Sequence, residues 1–351
     1  MRRVLTRVQQ IPTALLDASD LSETESAYRF RVPTQYLDLI DFDDPNDPIR
    51  KLVIPDIREL RPVESLDPTK EAQSTVAPGL QHKFPDTGLL LCTTNCAAYC
   101  RFCFRKRLFQ PSSQEVPHEF SPALLYIAEH PEITNVILSG GDALAMKTSQ
   151  LINLLNRIAD IASVRVIRIG SKTPAFDPAR ILRDSTLIQG LEAISERGKQ
   201  LYLMAHFDHP REVTREAKQS VKLLARTGLA CLNQCPLLRG VNTDNGVLGN
   251  LFEQMEFIGC PQYYVFHCRP TDGNEHFMLP LDEAFSIFER ESHVGSGLSK
   301  TARYCITHPT GKIQVLALEG SRVLLKYLQA CDTERTGRTF WHPVSEVMDL
   351  V

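Results

Sequence analysis

The chain has 351 residues, of which 43% are hydrophobic and 23% charged, and its formal net charge at pH 7 is −3. These values are typical of a globular protein of one or two domains, and they exclude a broad basic surface for nucleic acid. The chain has no apolar run of 18 residues that could span a membrane, and its first residues lack the apolar core of a signal peptide, so we predict a cytoplasmic protein.

The predicted elements change character twice along the chain. Residues 1–85 are rich in acids and prolines and are predicted to form a helical and irregular N-terminal extension. Between residues 86 and 295, short apolar strands alternate with amphipathic helices about six times. The strands are GLLLCTT, NVILSGGD, SVRVIRIGS, QLYLMAHF, ACLNQCPLL and QYYVFHC, and the helices are SPALLYIAEH, TSQLINLLNRIADI, TREAKQSVKLLARTG and NLFEQMEFIG. Residues 296–351 read as a small β-rich segment, with RYCITH, KIQVLALEG and RVLLKYLQA.

This alternation predicts an α/β fold with a parallel sheet. In such folds, functional residues gather on the loops after the carboxyl ends of the strands. The conspicuous polar residues of the chain follow the predicted strands in this way, namely Ser139, Asp142, Ser171, Lys172, His206, Asn233 and Gln234. Any one of them is an ordinary structural group, but together they predict a pocket at one rim of the sheet.

Three cysteines, Cys96, Cys100 and Cys103, lie within eight residues directly after the first strand. Three thiolates can hold three irons of a [4Fe-4S] cluster and leave the fourth iron open for a ligand. The alternatives are buried structural thiols or a zinc site, which would need a fourth ligand such as His82. The other seven cysteines are scattered, mostly in apolar runs, which favours free thiols in a reducing compartment.

The turn Ser139-Gly140-Gly141-Asp142 ends the next strand. Glycines let a backbone approach a ligand closely, although a simple tight turn is the alternative interpretation. With the cysteine loop one strand earlier, this turn is a candidate cofactor site.

The spacing C-x3-C-x2-C after a strand resembles the radical S-adenosylmethionine (SAM) superfamily. The strings LSGGDAL, RIGSKTP, HFDHPREVT, LNQCPLLRGVN, PQYYVFHC and EHF, in order between His82 and Phe277, resemble the lysine 2,3-aminomutase family, which includes glutamate 2,3-aminomutases. The resemblance implies a partial (β/α)6 TIM-type barrel with a helical N-terminal extension and a small β-rich C-terminal segment. It also implies a [4Fe-4S] cluster, SAM and pyridoxal phosphate (PLP), and transfer of an amino group from C2 to C3 of an amino acid by a 5′-deoxyadenosyl radical.

The resemblance also assigns roles to single residues. The cysteines would bind the cluster, and the expected cofactor contacts are Gly140, Gly141, Asp142, Ser171, His206 and Gln234. Arg105 matches the arginine that grips the substrate carboxylate, with a solvated basic run as the alternative. Lys83 matches a cation for the PLP phosphate, and Thr87 stands where the family usually has a second arginine. Lys312 is the best match for the PLP lysine, and a turn lysine at the start of a strand is the alternative.

The predicted substrate pocket departs from that of the lysine enzymes. Arg269 stands where the lysine-specific members have an aspartate, and no acid lies near His308. A cation there would repel the ammonium of lysine by about 1 kcal/mol or more if partly buried, and would suit a carboxylate. We therefore expect an acidic amino acid, unless Asp272 supplies the missing negative charge. The long form of the family ends in a cysteine-rich metal-binding tail; this chain has only Cys331 there, so no zinc site is expected.

The sequence thus predicts a radical SAM 2,3-aminomutase-like isomerase. The alternatives are a PLP-free radical SAM enzyme of the same fold with a different reaction, and a non-catalytic iron–sulfur protein. The expected partners are a small amino-acid substrate and a reducing electron donor of flavodoxin or ferredoxin type. A homodimer is one expected form, and neither nucleic acid nor membrane is expected as a partner.

Overall fold

One mixed sheet of twelve strands dominates the computed structural model, which describes residues 4–11, 18–61 and 65–349. A separate two-stranded sheet pairs β1 (Val4–Leu5) with β2 (Val32–Pro33). The strands of the large sheet lie in sequence order from one edge to the other: β3 (Thr75–Ala77), β4 (Leu80–Phe84), β5 (Thr87–Thr93), β6 (Asn135–Gly140), β7 (Val166–Ser171), β8 (Gln200–Ala205), β9 (Ala230–Leu237), β10 (Gln262–His267), β11 (Arg303–His308), β12 (Gly311–Glu319), β13 (Arg322–Ala330) and β14 (Thr339–Pro343).

The α-helices lie in the N-terminal extension and between the strands. They are α1 (Ala18–Ala27), α2 (Thr34–Leu37), α3 (Pro48–Val53), α4 (Ser121–Glu129), α5 (Thr148–Ala159), α6 (Thr173–Phe176), α7 (Pro178–Leu182), α8 (Ser185–Glu196), α9 (Arg215–Arg226), α10 (Val247–Phe257) and α11 (Leu281–Ser292). Short 3-10 helices add further turns, among them Ile57–Leu60 and Glu71–Ser74. Within the described part of the chain, no helix combines the length and the apolar character needed to cross a membrane.

Strands β5 to β11 are all parallel, and at least one helix separates each from the next. This arrangement confirms the predicted α/β fold, and the predicted strands and helices of residues 86–295 are present. Antiparallel strands extend the sheet at both edges, β3 and β4 on one side and β12 to β14 on the other. The sequence interpretation did not include β3, β4, β14, α8 or α11. The sheet continues across residues 85 and 295, and the domain boundaries there stay a prediction.

The two faces of the sheet have different surroundings. Along β6, Val136 and Leu138 are fully buried against the helices, whereas the alternating residues Asn135, Ile137 and Ser139 are only partly buried. Alternate residues of a strand point to opposite faces, so Asn135 and its equivalents lie on the second face. We call this the inner face; strand register places on it Arg168, Tyr202, Gln234, Tyr264, Phe266, Cys305, Thr307 and Lys312.

The sheet is strongly curved. The Nζ of Lys83 on β4 donates to the carbonyl oxygen of His308 on β11 at 2.8 Å, although the two residues are 225 positions apart in sequence. Seven strand-to-strand steps of about 4.8 Å separate β4 from β11, so a flat sheet would place them roughly 34 Å apart. The contact therefore requires the sheet to curl, with the inner face on its concave side.

The N-terminal extension packs on the rim where the parallel strands end. Its apolar residues Phe30, Tyr36 and Leu52 share one buried cluster with Ala98 and Phe102 of the cysteine loop. A separate, larger core fills the space between the outer face of the sheet and the helices. The extension thus lies against the loop that is expected to carry the cluster.

Candidate active site

The three cysteines follow β5, and they lie close enough for the charge of one thiolate to affect the pKa of another. Burial raises the pKa of all three thiols, and the pKa of Cys96 is raised further by Asp142, Cys103 and Cys100. Thiols in such surroundings release their protons to solvent when a metal centre binds, because the metal compensates the thiolate charges. The donor set therefore fits an iron–sulfur cluster. Among the described residues, no group of three or more His, Cys, Asp or Glu side chains is arranged to hold a single metal ion.

His82, the fourth ligand considered for a zinc site, lies elsewhere. Its Nδ1 is 3.2 Å from the Tyr126 hydroxyl and its Nε2 is 3.1 Å from the carbonyl oxygen of Pro85. The ring also packs against Tyr126 and against His130, just past the end of α4, on the helix side of the sheet. This placement disfavours the zinc alternative.

The glycine turn after β6 holds the start of the cysteine loop. The amide of Gly141 donates to the Thr93 carbonyl oxygen at 2.6 Å, and the amide of Asp142 donates to that of Asn95 at 2.8 Å. A Cβ atom at Gly140 would lie 2.7 Å from the Thr93 oxygen, and one at Gly141 would lie 2.5 Å from the Asn95 oxygen. These glycines are thus needed because the glycine turn packs directly on the backbone of residues 93–95. The sequence interpretation had instead explained them by the close approach of a ligand.

We expect Gly141→Ala to displace the cysteine loop, because the new methyl group meets backbone atoms that cannot rotate away. The free energy of unfolding should fall by about 1–3 kcal/mol, as in overpacked cores, and less iron should be incorporated on anaerobic reconstitution. Gly297→Ala is the matched control, since a Cβ there meets nothing within 4 Å. Equal iron content in the two variants would contradict this role of the turn.

Asp142 joins the glycine turn to the end of β7. Its carboxylate accepts hydrogen bonds from the Ser171 hydroxyl at 2.6 Å and from the amides of Leu144, Lys172 and Thr173 at 2.8–2.9 Å. The carboxylate of Asp142 and the hydroxyl of Ser171 are thus bonded to each other. Direct contacts from Gly140, Gly141, Asp142 and Ser171 to a cofactor stay a prediction.

A buried polar network continues from there to His206. The Nζ of Lys172 lies 2.5 Å from Asp208 and 2.8 Å from Glu212, and His206 Nε2 lies 2.9 Å from the other oxygen of Asp208. Burial alone would lower the pKa of Lys172, but the two carboxylates raise it. The His206 side chain is 26% exposed, and its ring centroid lies 5.6 Å from that of Phe102. The network thus orients His206 beside the cysteine loop.

The sequence interpretation missed the carboxylates of this network. Glu212 also accepts a hydrogen bond from the hydroxyl of Tyr36 in the N-terminal extension at 2.6 Å. Asn233 bonds to the backbone of Phe207 and to Gln262, so it is a structural residue, whereas Gln234 lies on the inner face. The string HFDHPRE indicated only the histidine, because a carboxylate gives no local signal of a distant lysine.

The guanidiniums of Arg105 and Arg269 both lie close to the ring of Phe104. The guanidinium carbon of Arg105 is 4.5 Å from the centroid of Phe104, and that of Arg269 is 3.7 Å from it. Glu71 binds Arg105 through both carboxylate oxygens at 2.8 and 3.0 Å, and Arg105 also donates to Ser139 at 2.8 Å. In Arg269, Nη1 is buried and has no hydrogen-bond partner among the described residues. Arg269 therefore has a buried donor that is available to a ligand.

Lys312 lies on the inner face above two aromatic rings. Its Nζ is 4.5 Å from the centroid of Tyr264 and 5.8 Å from that of Phe266. Burial lowers the pKa of Lys312 to about 8, and the charges of Arg168 and Arg269 contribute to the shift. A lysine that is partly neutral near pH 8 can act as a nucleophile toward an aldehyde, which fits a residue that binds PLP.

The two residues predicted at the PLP phosphate site, Lys83 and Thr87, have different surroundings. Lys83 is bonded to the His308 carbonyl oxygen, and burial lowers its pKa. Thr87 is buried and donates to Asp86 at 2.8 Å, while its hydroxyl accepts from Asn135 at 2.9 Å. Arg168, which the sequence interpretation did not single out, donates to Asn135 at 3.0 Å. The three residues share the region around the start of β5, β6 and β7.

Comparison with known proteins agrees with this site. Residues 86–172 match the model of a family described as a 4Fe-4S single cluster domain. A protein of Aquifex aeolicus, provisionally named an L-lysine 2,3-aminomutase, is 44% identical over 332 residues, which cover 94% of this chain and 88% of that protein. The L-lysine 2,3-aminomutase of Clostridium subterminale is 35% identical over 300 residues, with 84% and 69% coverage. The glutamate 2,3-aminomutase of Clostridioides difficile is 32% identical over 293 residues, with 83% and 68% coverage.

These relatives match most of the chain at over 30% identity, and the matched 4Fe-4S model includes the three cysteines. They confirm the predicted family and an enzyme of the radical SAM isomerase kind, with the iron–sulfur cluster that its cysteine loop fits. The chain belongs to the lysine 2,3-aminomutase family of radical SAM enzymes.

Proposed function

We propose that this aminomutase binds PLP through Lys312 and acts on an acidic amino acid, of the glutamate or aspartate class, rather than on lysine. One observation carries the proposal. Four cations lie at or beside the inner face without an ion pair within 4 Å among the described residues, namely Lys83, Arg168, Arg269 and Lys312.

All four are partly buried, and cations withdrawn from water are normally paired with anions. Burial lowers the pKa of all four groups, to about 10 for Arg269 and to about 8 for Lys312. Of the carboxylates near Arg269, Glu71 is already bound by Arg105 and Arg107, and Asp67 lies 3.7 Å from Arg107. The site therefore needs anions from its ligands, and a PLP phosphate with a dicarboxylate substrate would supply them.

The same charges disfavour lysine as substrate. The side-chain ammonium of lysine would be repelled by the nearby cations, which would weaken its binding by about 1 kcal/mol or more. Asp272 does not supply the missing negative charge beside Arg269. Its charge raises the pKa of Tyr28, whereas the acidic groups that raise the pKa of Arg269 are Glu71 and Asp67. The relative named for glutamate supports the acidic class.

The residues of the chain have separate tasks in this proposal. Arg105, held in place by Glu71 and Ser139, would bind the α-carboxylate of the substrate through the rest of its planar donor set. Arg269 would bind the side-chain carboxylate, and the contacts of both guanidiniums with the Phe104 ring would help to position them. When bound, the cluster and SAM supply the radical that removes hydrogen from C3, and PLP carries the amino group from C2 to C3.

Several finer features belong to the same proposal. The curved sheet supports a partial (β/α)6 barrel over residues 86–295, flanked by an N-terminal extension at 1–85 and a β-rich segment at 296–351. His206 and Gln234, at the end of β8 and on β9, would contact SAM together with the glycine turn. The family resemblance supports a flavodoxin- or ferredoxin-type electron donor, a homodimer and a cytoplasmic location.

Anaerobic reconstitution with iron, sulfide and PLP tests the proposal. We expect about one PLP per chain and conversion of L-glutamate or L-aspartate, with SAM and reductant, to the β-amino isomer, detected by mass spectrometry. L-Lysine should react poorly. Robust β-lysine formation would refute the acidic substrate, and a loaded cluster without bound PLP would favour the PLP-free alternative.

A further inference from the structure

We infer that Arg168 binds the phosphate group of PLP through its two terminal nitrogens. The inference rests on the proposed function, because it takes Lys312 as the residue that holds the cofactor. It adds a ligand from β7 that the family resemblance did not assign.

Arg168 is a partly buried cation without an ion pair within 4 Å among the described residues. It lies on the inner face, and its Nε donates to the side-chain oxygen of Asn135 at 3.0 Å. Its Nη1 and Nη2 have no partner among the described residues, yet they are not sealed off from solvent. Three acidic groups raise the pKa of Arg168 through their charge, but none forms an ion pair with it. They are Asp86, Tyr263 and Tyr264. Four N–H bonds of one planar group are thus available to an anion.

A hydrogen-bond chain fixes the orientation of this guanidinium. The amide nitrogen of Asn135 donates to the Thr87 hydroxyl at 2.9 Å, and that hydroxyl donates to Asp86 at 2.8 Å. Because the amide nitrogen of Asn135 donates to Thr87, the amide oxygen is the atom that accepts from Arg168. The Nε edge of Arg168 is therefore occupied, and the end carrying Nη1 and Nη2 is the part offered to a ligand. Two parallel N–H donors match the geometry of a phosphate.

Arg168 is also well placed with respect to Lys312. The charge of Arg168 contributes more to the lowered pKa of Lys312 than that of Arg269 does. Arg168 also interacts with Tyr264, whose ring lies 4.5 Å from the Nζ of Lys312. In PLP the aldehyde and the phosphate arm are on neighbouring ring carbons, so the lysine and the phosphate ligand must be close without touching. Arg269, next to Phe104 and Arg105, belongs to the substrate end instead.

Comparison of PLP with pyridoxal, which lacks the phosphate, isolates this contact. The dissociation constants of both are measured by absorbance titration of the PLP-free full chain, for the wild type, Arg168→Met and Arg168→Lys. We expect Arg168→Met to weaken PLP at least roughly 10-fold, as for loss of a charge-assisted contact of about 1.4 kcal/mol or more, and to leave pyridoxal nearly unchanged. Arg168→Lys should lie between the wild type and Arg168→Met. Inorganic phosphate should compete with PLP in the wild type and less in Arg168→Met.

Arg165→Met is the matched control. Arg165 is exposed, just before β7, and is not on the inner face, so its loss should not change the ratio of the two constants. Equal weakening of PLP and pyridoxal by Arg168→Met, or no weakening of PLP, would overturn the assignment. If Arg168→Met does not fold, an unchanged ratio in Arg168→Lys overturns it instead. Retention of covalent PLP by Lys312→Ala would count against the proposed function rather than against Arg168.

Discussion

Glu59→Gln is expected to lower the free energy of unfolding by about 3–5 kcal/mol, because it leaves two cations buried without their carboxylate. Glu59 accepts from Arg101 Nε at 2.9 Å and from Arg101 Nη2 at 2.6 Å, and Lys106 lies 3.8 Å away. The side chains of Glu59 and Arg101 are 0% and 2% exposed. Water cannot reach such a site to stabilise the cations that lose their carboxylate.

The same change should reduce the iron content. Arg101 lies between Cys100 and Phe102, its amide donates to Leu52 at 2.9 Å, and a guanidinium nitrogen donates to Arg29 at 3.0 Å. The N-terminal extension thus clamps the cysteine loop, and the ion pair with Glu59 is the charged part of the clamp. Loosening it lets the three thiols separate, so a cluster should assemble less fully.

Urea denaturation and iron analysis after anaerobic reconstitution measure the two effects. Glu283→Gln is the matched control, because Glu283 pairs with Arg239 at 3.2 Å but both side chains are nearly half exposed. Exposed pairs contribute less than about 1 kcal/mol. If both variants lose the same stability and keep the same iron, the clamp does not have the role described.

Lys312→Ala is expected to abolish covalent PLP binding and aminomutase activity while the iron content stays unchanged. The lysine lies on β12, where Thr307 is its partner on β11, and the cysteine loop follows β5 on a different part of the sheet. Loss of the absorption band of lysine-bound PLP, with retained iron–sulfur absorption, would be the signature. Lys326→Ala, on the neighbouring β13, is the control that should keep both bands. A band that survives in Lys312→Ala would show that another lysine binds PLP.

The pH dependence of PLP uptake adds an independent test of Lys312. Only the neutral amine attacks an aldehyde, and burial lowers the pKa of Lys312 to about 8 from an ordinary value of about 10.4. In stopped-flow measurements on the PLP-free chain, the uptake rate should rise as pH increases toward 8 and level off above about 9. An ordinary lysine would keep rising to a pH above 10. A rise of that second kind would contradict the burial of this amine.

Local patterns in the sequence were sufficient for the order of the elements and for the cluster. Strand and helix periods depend on neighbouring residues, and three cysteines within eight positions can meet in a single folded loop without help from distant parts of the chain. Arg269 stood out only through the family resemblance, because the lysine-specific members have an aspartate at its position. The family comparison then confirmed the enzyme class that these motifs predicted.

Only the tertiary structure decided how the charged residues are paired. Glu59 meets Arg101 across 42 positions, Tyr36 meets Glu212 across 176, and Lys83 meets the carbonyl of His308 across 225. The sequence by itself determined strands β5 to β13, the cysteine loop and the kind of chemistry. Which carboxylates neutralise which cations, and which cations such as Arg168 remain for a ligand, followed from the curvature of the sheet, because burial and ion pairing depend on segments that meet only in the folded chain.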